Sequence, residues 1–179
     1  MIRIAITGPE CTGKSTLAAW LAAQVFDTRL IREFAREYLE KKGKEYKYTS
    51  DDILAIACKT AANFDKAFQA NLDALVVDTE FYVLDIWWRE VVGKSDEEIA
   101  EYRRVFDFDL YLLCEPDLPW EFDPLRENPH DRYRLFQIYQ NDLVEDGRTF
   151  EIVNGTGPER MENILDKILL RFPNLMKKD

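Results

Sequence analysis

The chain has 179 residues, 46% of them hydrophobic and 32% charged, and its 24 Lys and Arg against 34 Asp and Glu give a formal charge of −10. These figures exclude a disordered chain and a membrane-spanning bundle and predict one compact unit over residues 1–179. The acidic balance disfavours a nucleic-acid partner unless basic residues gather on one face.

Three scattered cysteines, Cys11, Cys58 and Cys114, offer neither a disulfide framework nor zinc-ligand spacing, which suits a reducing compartment. The N-terminus has no signal-peptide pattern, so a cytoplasmic protein with no membrane partner is expected.

Residues 2–6 read as a buried strand, and 14–25 as a helix with Leu17, Ala18, Leu21 and Ala22 on one face. A strand over 29–31 leads into a helix over 33–42 that Gly43 stops. Ser50-Asp51-Asp52 reads as the N-cap of a long helix reaching residue 70. Residues 75–78 form a fully apolar strand ending in Asp78, followed by a helix through Trp87 and Trp88 to residue 92. A further helix is opened by Ser95, with Glu98 at the capping-box position.

After a strand over 110–114, the stretch 115–129 holds Pro116, Pro119, Pro124 and Pro129 and cannot be regular throughout. A helix over 131–145, a strand over 149–153 and a helix over 158–171 complete the chain. Five strands alternating with helices predict an α/β fold with a parallel sheet covered on both faces.

Between the first strand and first helix, Gly8-Pro9-Glu10-Cys11-Thr12-Gly13-Lys14-Ser15 fits G-x-x-x-x-G-K-[ST], with Thr16 next to it. Glycines at these places let backbone N–H groups form an anion nest. Lys14 reaches terminal phosphates, and the Ser15 hydroxyl can ligate Mg²⁺. The motif predicts a bound nucleoside triphosphate, with ATP and Mg²⁺ the expected pair. A second carboxylate for the metal is expected at a neighbouring strand tip, where Asp78 stands. Asp78 can alternatively serve only as a helix cap, and Glu80 can share the metal role.

A phosphate loop alone does not separate kinases, switch GTPases and mechanical ATPases. No Asn-Lys-x-Asp guanine reader is present, and 179 residues leave little room for the helical lid domain of a hexameric ATPase. A small-molecule kinase needs only an acceptor site, a base and a cationic lid. At the end of the second strand Glu33 can accept a proton from a substrate hydroxyl while Arg36 holds an anion; a solvated Arg36/Glu40 pair is the alternative. Trp120 to Arg126, with Arg132 and Arg134, reads as an Arg-containing lid over about 115–135. Arg126 would act at the transferring phosphoryl group and Arg132 on the nucleotide, unless these arginines only pair with acidic neighbours. Gly155-Thr156-Gly157-Pro158 either lets the chain approach an adenine ring or is a plain turn.

Together, 8–16, Glu33 to Tyr38, Asp78-Thr79-Glu80 and Pro119 to Arg126 resemble the ribosylnicotinamide kinase domain of NadR-type proteins. The resemblance implies a three-layer P-loop kinase fold with strand order 2-3-1-4-5 and ATP-dependent phosphorylation of nicotinamide riboside to the mononucleotide. It assigns Lys14 and Ser15 to ATP and Mg²⁺, Asp78 to the metal or the acceptor hydroxyl, and Asp123 and Arg126 to the lid; Glu33, Arg36, Asp78, Trp120 and Asp123 are the residues expected to bind the acceptor.

The sequence is expected to carry the kinase part without the adenylyltransferase that such proteins place ahead of it. It also departs from the family pattern at Pro124, where Gly is usual, and at Arg32 and Ala61, where aromatics would flank the nicotinamide ring. Phe64, Phe68 or Trp120 would be the substitutes. Another nucleoside, nucleotide or small-metabolite kinase, or an ATP-binding regulatory protein, are the alternatives, and the oligomeric state is left open.

Overall fold

The computed structural model describes residues 1–25, 27–43, 45–123, 126 and 129–175. Its five strands, β1 (Ile2–Thr7), β2 (Thr28–Ile31), β3 (Ala74–Asp78), β4 (Leu110–Cys114) and β5 (Phe150–Val153), form one parallel sheet in the order β2-β3-β1-β4-β5, as expected. Seven helices lie among the described residues: α1 (Lys14–Gln24), α2 (Phe34–Lys42), α3 (Ser50–Phe68), α4 (Phe81–Val92), α5 (Glu97–Val105), α6 (Arg132–Glu145) and α7 (Gly157–Arg171).

Strand alternation divides the interior into two layers. Ile4 and Ile6 of β1 face α1 and α7 with Leu17, Leu21, Ile164 and Ile168, whereas Ala5 faces α3 to α6 with Ile53, Phe64, Phe81 and Tyr139. β3 and β4 are buried along their whole length because both faces are covered, which is why they are uninterrupted apolar runs. No helix of the described residues is long and apolar enough to cross a membrane.

Two helix starts differ from expectation. Thr49, not the Ser50-Asp51-Asp52 group, caps α3 in a reciprocal capping box with Asp52. Asp52 is also the acceptor for the Tyr38 and Tyr46 hydroxyls, at 2.8 Å each, so the connection between α2 and α3 is tied to one carboxylate. For α5 the cap is Asp96, which accepts from the Glu98 and Ile99 amides; Ser95 lies one residue too early. In both cases the better acceptor geometry belonged to an immediate neighbour of the expected cap.

In register, Ile6 pairs with Asp78 and Thr7 with Leu113. The ends of β1, β2 and β3 therefore discharge their loops at one edge of the sheet, the usual position for a ligand crevice in an open α/β sheet.

Candidate nucleotide and acceptor site

The loop after β1 is shaped by contacts that its residue types dictate. Gly8 has φ 125°, and a Cβ there would stand 2.7 Å from the Cys114 carbonyl oxygen, so only glycine lets β1 turn so close to β4. Gly13, also left-handed at φ 75°, is the N-cap of α1 and supplies no capping side chain. No acidic residue lies in the first turn. The N-terminal amides of α1 thus lack a side-chain acceptor, the condition under which a helix N-terminus takes up an anion.

Lys14 folds back over the loop, its Nζ donating to the Gly8 and Pro9 carbonyls at 2.8 and 2.6 Å, and Thr12 closes the turn on the Pro9 carbonyl at 2.8 Å. Ser15 and Thr16 are exposed, whereas Pro9 is buried and Glu10 and Cys11 are half-buried.

On the neighbouring strand, the turn Asp78-Thr79-Glu80 sends its two carboxylates opposite ways. Thr79 is left-handed at φ 74°, an unfavourable setting for a β-branched residue. Glu80, not Asp78, caps α4, accepting from the Tyr82 amide at 2.7 Å, and it is 1% exposed. Glu80 is therefore turned beneath α4 and away from any metal role. Asp78, released from capping, receives a hydrogen bond from Ser15.

One Asp78 oxygen, Oδ1, is buried without a protein partner. A free carboxylate oxygen beside a serine hydroxyl at a phosphate loop is a donor set suited to Mg²⁺. Burial raises the Asp78 carboxyl above its ordinary range despite Ser15, Lys14 and Arg32. Glu33 is raised in the same way, mainly by burial, with Lys14 opposing and Asp78 adding. Glu33, Asp78, Lys14 and Arg36 thus act on one another across a single crevice.

The lid segment lies on the loop. Arg126 donates to the Glu121 carbonyl at 2.6 Å and to the Cys11 sulfur at 3.2 Å; Arg132 donates to the Cys11 and Leu118 carbonyls at 3.1 Å each. Arg36 reaches Asp123 of the lid at 3.0 Å and Glu40 at 3.8 Å, so the expected Arg36/Glu40 pair is present together with a pair to the lid. Trp120 sits under the Arg132 guanidinium, 5.7 Å from ring centroid to Cζ, and does not line the cavity beside Glu33. Arg134 does not join the site; it pairs with Glu90 and Asp131. The departure at Pro124 lies outside the described residues.

One cavity adjoins the loop and another lies beside Glu33. The first, of about 390 Å³, is lined by Gly13, Thr16, Trp20, Leu118, Arg160 and Met161, with Gly157 and Pro158 of the β5–α7 turn. Its place beside the α1 N-terminus, and its apolar walls, suit a nucleobase. The other, about 10 Å³, lies among Arg32, Glu33, Phe34, Thr60, Asn63 and Phe64 and holds no more than one water molecule. Ala61 faces the core instead, at 5% exposure, so the α3 positions opposite Glu33 are Thr60 and Asn63. Phe64 closes this cavity but is packed edge-on by Phe81, Phe106 and Phe108, while Phe68 lies under Arg3.

Arg160 went unnoticed in the sequence. It is 4% exposed and donates to the Thr12 carbonyl (2.9 Å), Asp117 (3.0 Å) and the Gly155 carbonyl (3.0 Å), bracing the phosphate loop from α7. Its signal was an arginine in the first turn of a helix, where the macrodipole opposes a cation and another reason is needed.

A family model described as "AAA domain" matches residues 3–160. The chain belongs to that family. The AAA-domain chain is 31% identical over 144 residues to the trifunctional NAD biosynthesis/regulator protein NadR of Salmonella typhimurium, covering 79% of this chain and 34% of that protein. It thus spans about a third of the length of the curated relatives it matches.

Crystal structures of NadR superpose on it with TM-scores of 0.79 (complex with NR, 20% identity) and 0.76 (complex with NAD and AMP-PNP, 18%). Each covers 99% of this chain, and respectively 52% and 51% of the NadR chain. Deoxyadenosine kinase from M. mycoides superposes at 0.66 with 17% identity, covering 93% of this chain and 98% of that one. At such identities these likenesses establish the fold, a three-layer P-loop fold shared with nucleoside kinases, and the resemblance to NadR-type proteins holds over most of the chain.

Proposed function

We propose that this chain is a small-molecule kinase that transfers the terminal phosphoryl group of ATP to the hydroxyl of a nucleoside-like acceptor, with nicotinamide riboside as the leading acceptor. The observation that carries the reading is the convergence of Glu33 and Asp78 with Lys14 and Ser15 in one crevice beneath a lid holding Arg126 and Arg132. A switch or regulatory protein has no use for a buried carboxylate at an acceptor cavity.

In this reading the amides of the loop and the α1 N-terminus bind the phosphates, Trp20 and the β5–α7 turn flank the base, and Lys14 leaves its carbonyls for the terminal phosphate. Ser15 and Asp78 would hold Mg²⁺, which supplies charge neutralisation on the phosphate oxygens. Glu33 takes the proton of the acceptor hydroxyl, Arg36 and Asp123 fasten the lid to α2, and Arg126 and Arg132 bring positive charge over the transferring group while excluding water.

The test is coupled ADP release over a panel of nucleosides and nucleotides that includes nicotinamide riboside. Stimulation by an acceptor is expected; none by any would return the chain to a nucleotide-binding regulator. Glu33→Gln should lower turnover by about 10²–10⁴-fold with nucleotide binding retained. Because burial holds Glu33 above its ordinary range, wild-type kcat/KM should rise with pH as its carboxyl deprotonates, and Glu33→Gln should remove that limb. Unchanged turnover in Glu33→Gln would exclude Glu33 as the base.

A further inference from the structure

The guanidinium of Arg32 has no assigned use in the crevice. Arg36 is committed to Asp123 and Glu40, Arg126 and Arg132 to the loop and lid, and Arg160 to Asp117. Among the described residues no ion pair or hydrogen bond holds Arg32. It is exposed at the end of β2, directly before Glu33, and is one of the residues lining the small cavity, with Thr60 and Asn63.

At about 10 Å³ that cavity admits no ring, so an acceptor whose hydroxyl meets Glu33 must leave its ring at the mouth, next to Arg32. The ring of nicotinamide riboside is a pyridinium cation. Set beside Arg32, it meets a like charge with no aromatic face at position 32 to offset the repulsion, while Lys14 and Arg36 already balance the Glu33 and Asp78 carboxylates. A carboxylate on the same ring reverses the balance. The acceptor's base becomes net neutral, and its carboxylate offers the planar two-oxygen partner that a guanidinium binds best, with the Asn63 amide within the same lining.

Resting on the kinase reading above, we propose that Arg32 selects an acceptor bearing an anionic group on its ring, namely the pyridine-3-carboxylate riboside in preference to the carboxamide riboside. Arg32 is then a specificity residue that touches the acceptor, while Glu33 and the phosphate loop serve either acceptor equally.

The test measures kcat/KM by ADP release for three acceptors: the carboxamide riboside, the carboxylate riboside and a nucleoside 5′-monophosphate, which offers its anion as a phosphate. The carboxylate riboside should be preferred over the carboxamide by about 10- to 100-fold, the range of one hydrogen bond to a charged group. Arg32→Gln should collapse that ratio towards one, lowering carboxylate turnover and raising carboxamide turnover as the like-charge repulsion is lost, and Arg32→Lys should keep part of it. The side chain is exposed, so both variants should fold; equal melting temperatures check this.

Carboxamide turnover equal to or above that of the carboxylate overturns the assignment and leaves the kinase reading standing. So does a preference that survives Arg32→Gln. Turnover of the monophosphate above the carboxylate riboside places the anion elsewhere on the acceptor and overturns the ring assignment. No stimulation by any of the three removes the kinase reading and this inference together.

Discussion

Glu80 links the acid–base state of the protein to its stability. Its carboxyl is fully buried beneath α4, caps that helix through the Tyr82 amide, and is raised from 4.5 to about 7, because burial outweighs the Tyr82 amide, the Thr7 hydroxyl and Arg103. A carboxyl whose folded-state value lies above its unfolded value binds its proton more tightly when folded. Its contribution is therefore most favourable below about 4.5 and declines as pH rises to about 7, beyond which it is constant. The span from 4.5 to about 7, at about 1.4 kcal/mol per pH unit, amounts to roughly 3 kcal/mol.

Glu80→Gln removes the charge, keeps a carbonyl oxygen for the Tyr82 amide, and sets its amide group beside the Thr7 hydroxyl. The stability difference between variant and wild type, measured by urea unfolding from pH 4.5 to 8.5, should grow in favour of the variant up to about pH 7 and then level. A difference independent of pH, or a variant less stable than wild type at pH 8, would refute the reasoning.

Arg160→Ala should destabilise the chain by about 2–3 kcal/mol, since it strips donors from the Thr12 and Gly155 carbonyls and leaves Asp117 without its cation. It should also weaken nucleotide binding by more than tenfold, measured by titration of a fluorescent ATP analogue; unaltered affinity would mean that α7 does not brace the loop. Gly8→Ala should fail at the loop itself, because its Cβ would meet the backbone of Cys114 at 2.7 Å and φ 125° is closed to an L-residue. Thermal melts should drop, and nucleotide should no longer raise them.

The strands β1, β3 and β4 and the phosphate loop were legible because their signals are local: apolar runs a few residues long and an eight-residue motif. Asp78 and Glu80 were harder to tell apart. Asp78 ends β3 and Glu80 comes two residues later, and only the left-handed turn at Thr79 decides which carboxylate enters the crevice and which caps α4. The arginines were least legible. Arg134 is drawn away by Glu90, 44 positions earlier, while Arg160 reaches Thr12 across 148 positions, pairings that no local pattern encodes. The caps of α3 and α5 failed by one residue, since Thr49 and Asp96 stand beside other competent cap residues.

Among the described residues, the hydrogen bonds of three cations at the loop go to neutral groups. Lys14 rests on two carbonyls, Arg132 on two more, and Arg126 on a carbonyl and a thiol. In these hydrogen bonds an incoming phosphate therefore displaces dipoles rather than carboxylates. The exchange gains a full charge–charge attraction for hydrogen bonds to neutral groups, although Lys14 also acts on Glu33 and Asp78. The far field of a −10 chain repels a nucleotide, while the last few ångströms attract it. Modest added salt should then speed the approach before it begins to weaken the grip.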